Sequence, residues 1–247
     1  MQLHVFFTPA DLLAVSARSD DVYIVVDVIR ATTTMAVMFD QGAKRVYAAN
    51  TLEQARLAAQ RYPERLLCGE RHALPPPGFD YGNSPTQFAH IDLGERELIL
   101  TTTNGSRAFF ACPEGSMRLA GSFYNASAVT ACALRYAQER SGNIAIVCAG
   151  EGGYFALDDT ACAGFLAREI QRQHAAIEPH ESVLAAQAIY EAYPPARILE
   201  YGNSARSVIK AGLRADLDFC IQTSATSTVP LVEGKEAGTD LLVIRQV

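Results

Sequence analysis

No apolar run in this 247-residue chain approaches the roughly 18 residues needed to cross a bilayer, so no membrane span is expected. The segment Met1 to Pro9 has neither a basic stretch nor a long apolar core. It therefore reads as no signal peptide, and a cytoplasmic location is expected. Basic tracts and RNA-reading motifs are missing, and the net charge of −6 argues against non-specific nucleic-acid binding, which needs a basic face. The six cysteines are scattered, with no Cys-x-x-Cys and no Cys/His metal spacing. Several lie inside apolar runs such as Ile144 to Cys148, so buried, reduced thiols are expected. Gly150-x-Gly-Gly has neither dinucleotide-loop spacing nor the Lys-Ser/Thr of a P-loop. No histidine sits in a pattern that marks a base, and His72 stands out only for its loop.

What is present is an alternation. Strand-like runs at 3–7, 22–27, 44–48, 65–68, 96–101, 117–120 and 143–148 interleave with helix-like runs at 32–41, 51–61, 104–111, 123–140, 157–173 and 181–191. This predicts an α/β fold with a mostly parallel or mixed sheet. Gly42 closes the first long helix as a left-handed residue should. The last third reads as helical to about 212 and then β-rich near 218–222, 228–232 and 240–245. It either completes a single domain over 1–247 or forms a second lobe with a boundary near 175–215. Residues 69–84, with three consecutive prolines, read as a long functional loop. Tyr-Gly-Asn-Ser occurs at 81–84 and 201–204 with unlike flanks, which reads as coincidence.

The chemistry gathers at the ends of the strand-like runs. Val22 to Val26 is apolar and β-branched; Asp27, Arg30 and the hydroxyls Thr32, Thr33 and Thr34 follow. In α/β proteins ligands sit at the carboxyl ends of strands. A carboxylate there suits Mg²⁺, a guanidinium suits an oxyanion, and hydroxyls at a helix start suit phosphate. An ordinary ion pair with plain helix caps is the competing reading of these residues. Glu70 and Arg71 repeat the acid-base pair after the next strand, where a solvated surface pair is the alternative. Thr102, Thr103, Asn104 and Gly105 follow another apolar run and form a candidate anion nest, against simple helix capping. Asp80, Asn83 and Ser84 lie in a turn-rich segment, Asn125 precedes a long helix, and Asp158 and Asp159 open another.

Together these segments resemble the 2-phosphosulfolactate phosphatase family. The resemblance is carried in order by 25–34, Gly69-Glu-Arg71, 78–85, 101–106, 121–125 and 148–164, with a later echo at Asp216-x-Asp-Phe-Cys220. It implies a three-layer α/β/α fold and a magnesium-dependent phosphatase that releases 3-sulfolactate and phosphate on the way to coenzyme M. It carries Asp27, Arg30, Glu70, Arg71, Asp80, Asn83, Thr103, Asn104 and Asp159 as site candidates. Within that set Asp27, Arg30 and Asn104 are read as catalytic, and Asp27, Glu70, Asp80 and Asp159 as metal ligands. Thr32, Thr33, Arg71, Asn83, Ser84, Thr102, Thr103, Gly105 and Asn125 are read as substrate contacts. The family usually shows Glu-Asp where this chain has Asp158-Asp159, so Asp159 rather than Asp158 is the expected ligand.

The expected partner is a small anionic phosphorylated acid, with a homodimer left open. The nucleophile is either water or Asp27. Covalent attack by Asp27 would mimic haloacid-dehalogenase-like phosphatases, but position 29 is Ile where those enzymes carry an acid, and no lysine lies between 104 and 158. A non-enzymatic binder of small anions is the other class. Against it stands the surplus of acids beside the anion-binding groups, which repel an anion unless a cation bridges them.

Overall fold

The computed structural model describes all 247 residues. In chain order the first half runs β1 (Gln2–Phe6), α1 (Pro9–Leu13), β2 (Val22–Val26), α2 (Ala31–Asp40), β3 (Arg45–Ala48), α3 (Leu52–Arg61) and β4 (Leu66–Gly69). It continues with α4 (Pro85–Phe88), β5 (Glu97–Thr101), α5 (Gly105–Ala111), β6 (Met117–Gly121), α6 (Ala126–Arg140) and β7 (Ile144–Cys148). The second half adds α7 (Leu157–Gln173), β8 (Glu178–Pro179), α8 (Glu181–Ala192), α9 (Pro195–Tyr201), α10 (Asn203–Lys210), α11 (Ala215–Cys220), β9 (Pro230–Lys235) and β10 (Leu242–Gln246).

All strands join one ten-stranded sheet in the order β4-β5-β3-β10-β9-β6-β2-β7-β1-β8. Two parallel sets, β4-β5-β3 and β6-β2-β7-β1-β8, are bridged by the β9-β10 hairpin, which pairs antiparallel with both. The β-rich C-terminal end therefore completes the sheet. The expected strand near 218–222 is instead the helix α11. Its buried residues Asp216, Leu217 and Cys220 follow helical spacing, a period that so short a window does not separate from alternation. The short α1 and α4 were not anticipated; Thr8 caps α1 through a reciprocal pair with Asp11.

The sheet's two faces hold two cores. Val22, Ile24 and Val26 of β2 pack with α6, α7 and α8, while Tyr23 and Val25 pack with α2 and α5 and with Val46, Leu98 and Leu100 from the far strands. Helix α3 covers the other face of the far strands. This is the three-layer α/β/α arrangement. Helix α2 is buried from Ala31 through Phe39, its apolar residues packed on the sheet and the hydroxyls of Thr32 and Thr33 turned back onto the backbone before it. Gly42 takes φ +86 just beyond its end.

The pairing makes β2 and β5 run in opposite senses, which in a flat sheet would set their carboxyl ends at opposite edges. Adjacent strands rotate by roughly 20–25°. The five steps from β2 to β5 thus accumulate more than about 100° of twist. The sheet is strongly twisted across the hairpin, and the loops that follow β2, β4 and β5 meet beside α2 and α5.

Candidate active site

Asp27 follows β2 directly and is 8% exposed. Thr32 fixes its backbone: the Asp27 N–H donates to Thr32 Oγ1 at 3.2 Å, and that hydroxyl donates to the Asp27 carbonyl at 2.9 Å. Thr33 donates one residue on, to the Val28 carbonyl at 3.0 Å. Both hydroxyls shape the strand-to-helix turn and, fully buried, are not brought to a ligand. The Asp27 side chain faces two helix starts. The Ala31 N–H of α2 donates to Oδ1 at 3.3 Å, and the Gly105 N–H of α5 also supports the charged form. Backbone donors and helix dipoles both favour an anion there. Burial opposes them, and the carboxyls of Glu70 and Asp158 add repulsion, so Asp27 is pushed up to about 7.

The fit at α5 is close. A Cβ on Gly105 would stand 2.6 Å from Asp27 Oδ2 and 2.8 Å from the Ala31 Cβ. Only glycine lets the helix approach the carboxylate. Gly105→Ala is expected to displace Asp27 and lower phosphatase activity at least about tenfold, since misplacing a reacting group by about 1 Å can cost about a hundredfold. Steady-state rates measured beside a circular dichroism spectrum check this.

Glu70 joins the loops after β4 and β5. Its Oε1 accepts from the Thr103 N–H at 2.7 Å and its Oε2 from the Ala73 N–H at 3.2 Å. Arg71 donates to Thr101 Oγ1 at 3.2 Å and to the Glu70 carbonyl. Thr102 and Ser106 cap each other across the start of α5, so Thr102, 1% exposed, is a capping residue. Asn104 holds the loop after β7 through Oδ1, which accepts from the Gly152 N–H at 3.1 Å. A cavity of about 310 Å³ opens here, lined by Asp27, Arg30, Glu70, Arg71, Thr103 and Asn104 among others. Asn83 also reaches it, with a buried Oδ1 that has no hydrogen-bond partner.

Arg30 borders the cavity, but its guanidinium is committed. It is paired with Asp216 at 2.6 Å, both side chains nearly inaccessible, and donates to the Ala73 carbonyl at 2.7 Å. Ser84 donates to the same Asp216 at 2.6 Å and caps α4, away from the cavity. Asp80 accepts from the Leu67 N–H at 2.7 Å, outside the cavity. Asn125 is fully buried, with Oδ1 held by Ser122 and Nδ2 donating to the Ala120 and Thr228 carbonyls. These last three bind backbone or build the frame and are not among the cavity residues.

The acidic pair of α7 divides differently from expectation. Asp159 accepts from the Val28 N–H at 2.9 Å and the Gly150 N–H at 3.0 Å, tying together the loops after β2 and β7. Burial first, then Asp158 and Asp27, raise its carboxyl. Asp158, set aside on sequence grounds, keeps a buried Oδ1 with no partner, and burial pushes it up to about 6. Three carboxyls thus share one neighbourhood while the nearby Arg30 is neutralised elsewhere. No group of three or more His, Cys, Asp or Glu side chains is placed so that it could hold a metal ion. The donors do fit Mg²⁺, which takes oxygen ligands and is usually held by one or two carboxylates together with waters and substrate oxygens. Asp27 lines the cavity as one such carboxylate; Asp158 raises it from close by and keeps a buried unpartnered oxygen, but is not among the cavity residues.

Sequence reading missed several walls of the cavity: His72, Glu151, Ser204 and Ser207. Glu151 lies in the glycine-rich stretch after β7. Ser204 belongs to the second Tyr-Gly-Asn-Ser, so Asn83 of one copy and Ser204 of the other line the same cavity. The copies differ in backbone, the first in a loop and the second entering α10.

Comparison with known proteins now bears on this geometry. The model of the 2-phosphosulpholactate phosphatase family matches residues 7–235. The chain belongs to that family. A probable 2-phosphosulfolactate phosphatase of Thermus thermophilus is 37% identical over 237 residues, 95% of this chain and 96% of the relative. Proteins of the same name from Parasynechococcus marenigrum and Thermotoga petrophila are 34% identical over 237 residues and 33% identical over 214 residues, covering 93% and 85% of this chain and 96% and 89% of themselves. The matched residues cover β2, β4, β5 and β7, whose following loops supply Asp27, Glu70, Arg71, Thr103, Asn104 and Glu151 to the cavity. No helix of the chain is long and apolar enough to cross a membrane.

Proposed function

We propose that the chain is a Mg²⁺-dependent phosphatase that hydrolyses 2-phosphosulfolactate to 3-sulfolactate and phosphate, a step toward coenzyme M. The observation that carries this reading is the buried Asp27 carboxyl, aimed by two helix starts into a polar cavity, with the Asp158 carboxyl near enough behind it to raise it. Bound Mg²⁺ would neutralise phosphoryl charge and orient its oxygens. Asp27 would hold it. Arg71, the Thr103 hydroxyl and the free amide of Asn104 supply donors for the phosphoryl oxygens. Arg30, paired with Asp216, positions the turn after β2 instead of clamping substrate. Glu70 sets the Thr103 backbone and the Ala73 turn through its two carboxylate oxygens.

Water is the nucleophile in this reading. An aspartyl-phosphate route needs an acid beside Asp27 to serve the leaving group, and Ile29 lines the cavity in that place. Acids crowded beside anion donors also favour a cation-dependent enzyme over a passive anion binder. The test is phosphate release from a set of small phosphorylated acids, with Mg²⁺ and with chelator. Release from 2-phosphosulfolactate above the other esters supports the reading; no release from any ester overturns it.

A further inference from the structure

The cavity does not end at the acids. Glu151 and Ser207 also line a second, shallower cavity of about 520 Å³, walled by Tyr154, Phe155, Asn203 and Arg206. It continues the first one outward between α10 and the turn after β7. That turn is a built element. Glu151 and Tyr154 exchange backbone hydrogen bonds at 2.9 and 3.0 Å, and Gly152 and Gly153 take φ of +59 and +87 between them. Such angles suit glycine and fix a tight reversal. Asn104 anchors the turn through the Gly152 N–H, so its position is tied to α5 and hence to Asp27.

The turn presents aromatic faces with little to do within the fold. Phe155 rests against Phe7 with ring centres 6.2 Å apart, but Tyr154 is 80% exposed and has no aromatic neighbour. Arg206 of α10, on the wall of the same cavity, is exposed and takes part in none of the chain's ion pairs. A free guanidinium and a free phenol ring lining one cavity offer a flat group two surfaces that stack. Glu151, shared by the two cavities, disfavours a second anion in the slot. Asn203 adds an amide that can read a ring edge.

We infer that this outer slot, contiguous with the acidic cavity, accepts the planar ring of a phosphate monoester whose phosphoryl group lies at Asp27, so that ring-bearing monoesters are a second substrate class. The inference rests on the phosphatase reading for turnover, though not for binding. Nucleoside 5′-monophosphates, whose base stands a ribose away from the phosphoryl group, are the ring-bearing probes, and glycerol phosphate is the ring-free reference. In the wild-type protein the ring-bearing esters are expected to show KM values lower by about five- to tenfold, the lower part of the range that one aromatic stack supplies. Tyr154→Ala leaves the backbone reversal in place and is expected to bring that KM ratio close to one; Arg206→Ala should move it in the same direction.

Saturation-transfer NMR on the same esters gives a readout independent of turnover. The ring protons should receive the strongest saturation in the wild type and lose it in Tyr154→Ala. Equal KM values for ring-bearing and ring-free esters, or a ratio untouched by Tyr154→Ala, would overturn the slot. If no ester is hydrolysed, the phosphatase reading falls and the NMR contrast alone decides: ring saturation that depends on Tyr154 upholds the slot, and its absence removes it.

Discussion

Asp27→Asn is expected to lower phosphatase kcat/KM by roughly a thousandfold, because several kcal/mol of transition-state charge stabilisation would depend on the ion proposed at Asp27. The fold should survive. The substituted amide occupies the same space at the end of β2, and Thr32 holds the backbone rather than the side chain. Stability in chelator should not fall, and the reason is electrostatic. Burial lifts the Asp27 carboxyl from 3.8 to about 7. An acid raised in the folded state is most favourable to folding below its ordinary value; that stability is lost as pH climbs to the folded value and stays lost above it. Asn does not titrate. The thermal midpoint of the variant relative to wild type should therefore be more favourable at pH 8 than at pH 5. Melting curves at the two pH values check the sign. A variant that keeps its rate would remove Asp27 from the site.

Asp216→Ala should produce the largest loss of stability. Asp216 is 1% exposed and serves three donors: the Arg30 guanidinium at 2.6 Å, the Ser84 hydroxyl at 2.6 Å and the Thr86 N–H at 3.2 Å. Removing it strands a buried Arg30 without its counter-charge, which typically costs about 3–5 kcal/mol. At about 2–4 °C per kcal/mol for a domain of this size, the midpoint should drop by about 10 °C. Activity should fall with it, because Arg30 begins the turn that carries Asp27 into α2. Arg30→Lys is expected to be milder than Asp216→Ala yet still harmful: the ammonium keeps the charge but not the two-pronged reach to Asp216 and the Ala73 carbonyl.

These two sites show what could be read from the chain and what could not. The ends of strands such as β2 and β7 were legible because runs buried on both faces are apolar throughout. Asp27 was legible because an acid ending such a run needs a reason. The commitment of the Arg30 guanidinium was not legible, because its counter-ion Asp216 lies 186 residues away, at the start of α11 and just before the run that reads as a strand. Thr32 and Thr33 were correctly placed at a helix start, yet their hydroxyls close the turn locally, a choice that sequence does not display. The division of labour between Asp158 and Asp159 was likewise hidden, since adjacent residues on a helix point about 100° apart and only packing decides which meets backbone donors. Nothing in the chain announced that two parallel strand sets, running in opposite senses, would bring Asp27 and Glu70 together, because the joining hairpin is the last element made.

The central claim is that Asp27 and its neighbouring acids hold a divalent ion on which phosphate release depends. The most direct measurement is phosphate release from 2-phosphosulfolactate by chelator-stripped protein titrated with Mg²⁺, for wild type and Asp27→Asn together. The expected result is no release from the stripped wild type, saturable recovery as Mg²⁺ is added, and no recovery in the variant at any Mg²⁺ concentration. Full activity of the stripped wild type, or equal recovery in Asp27→Asn, would contradict it.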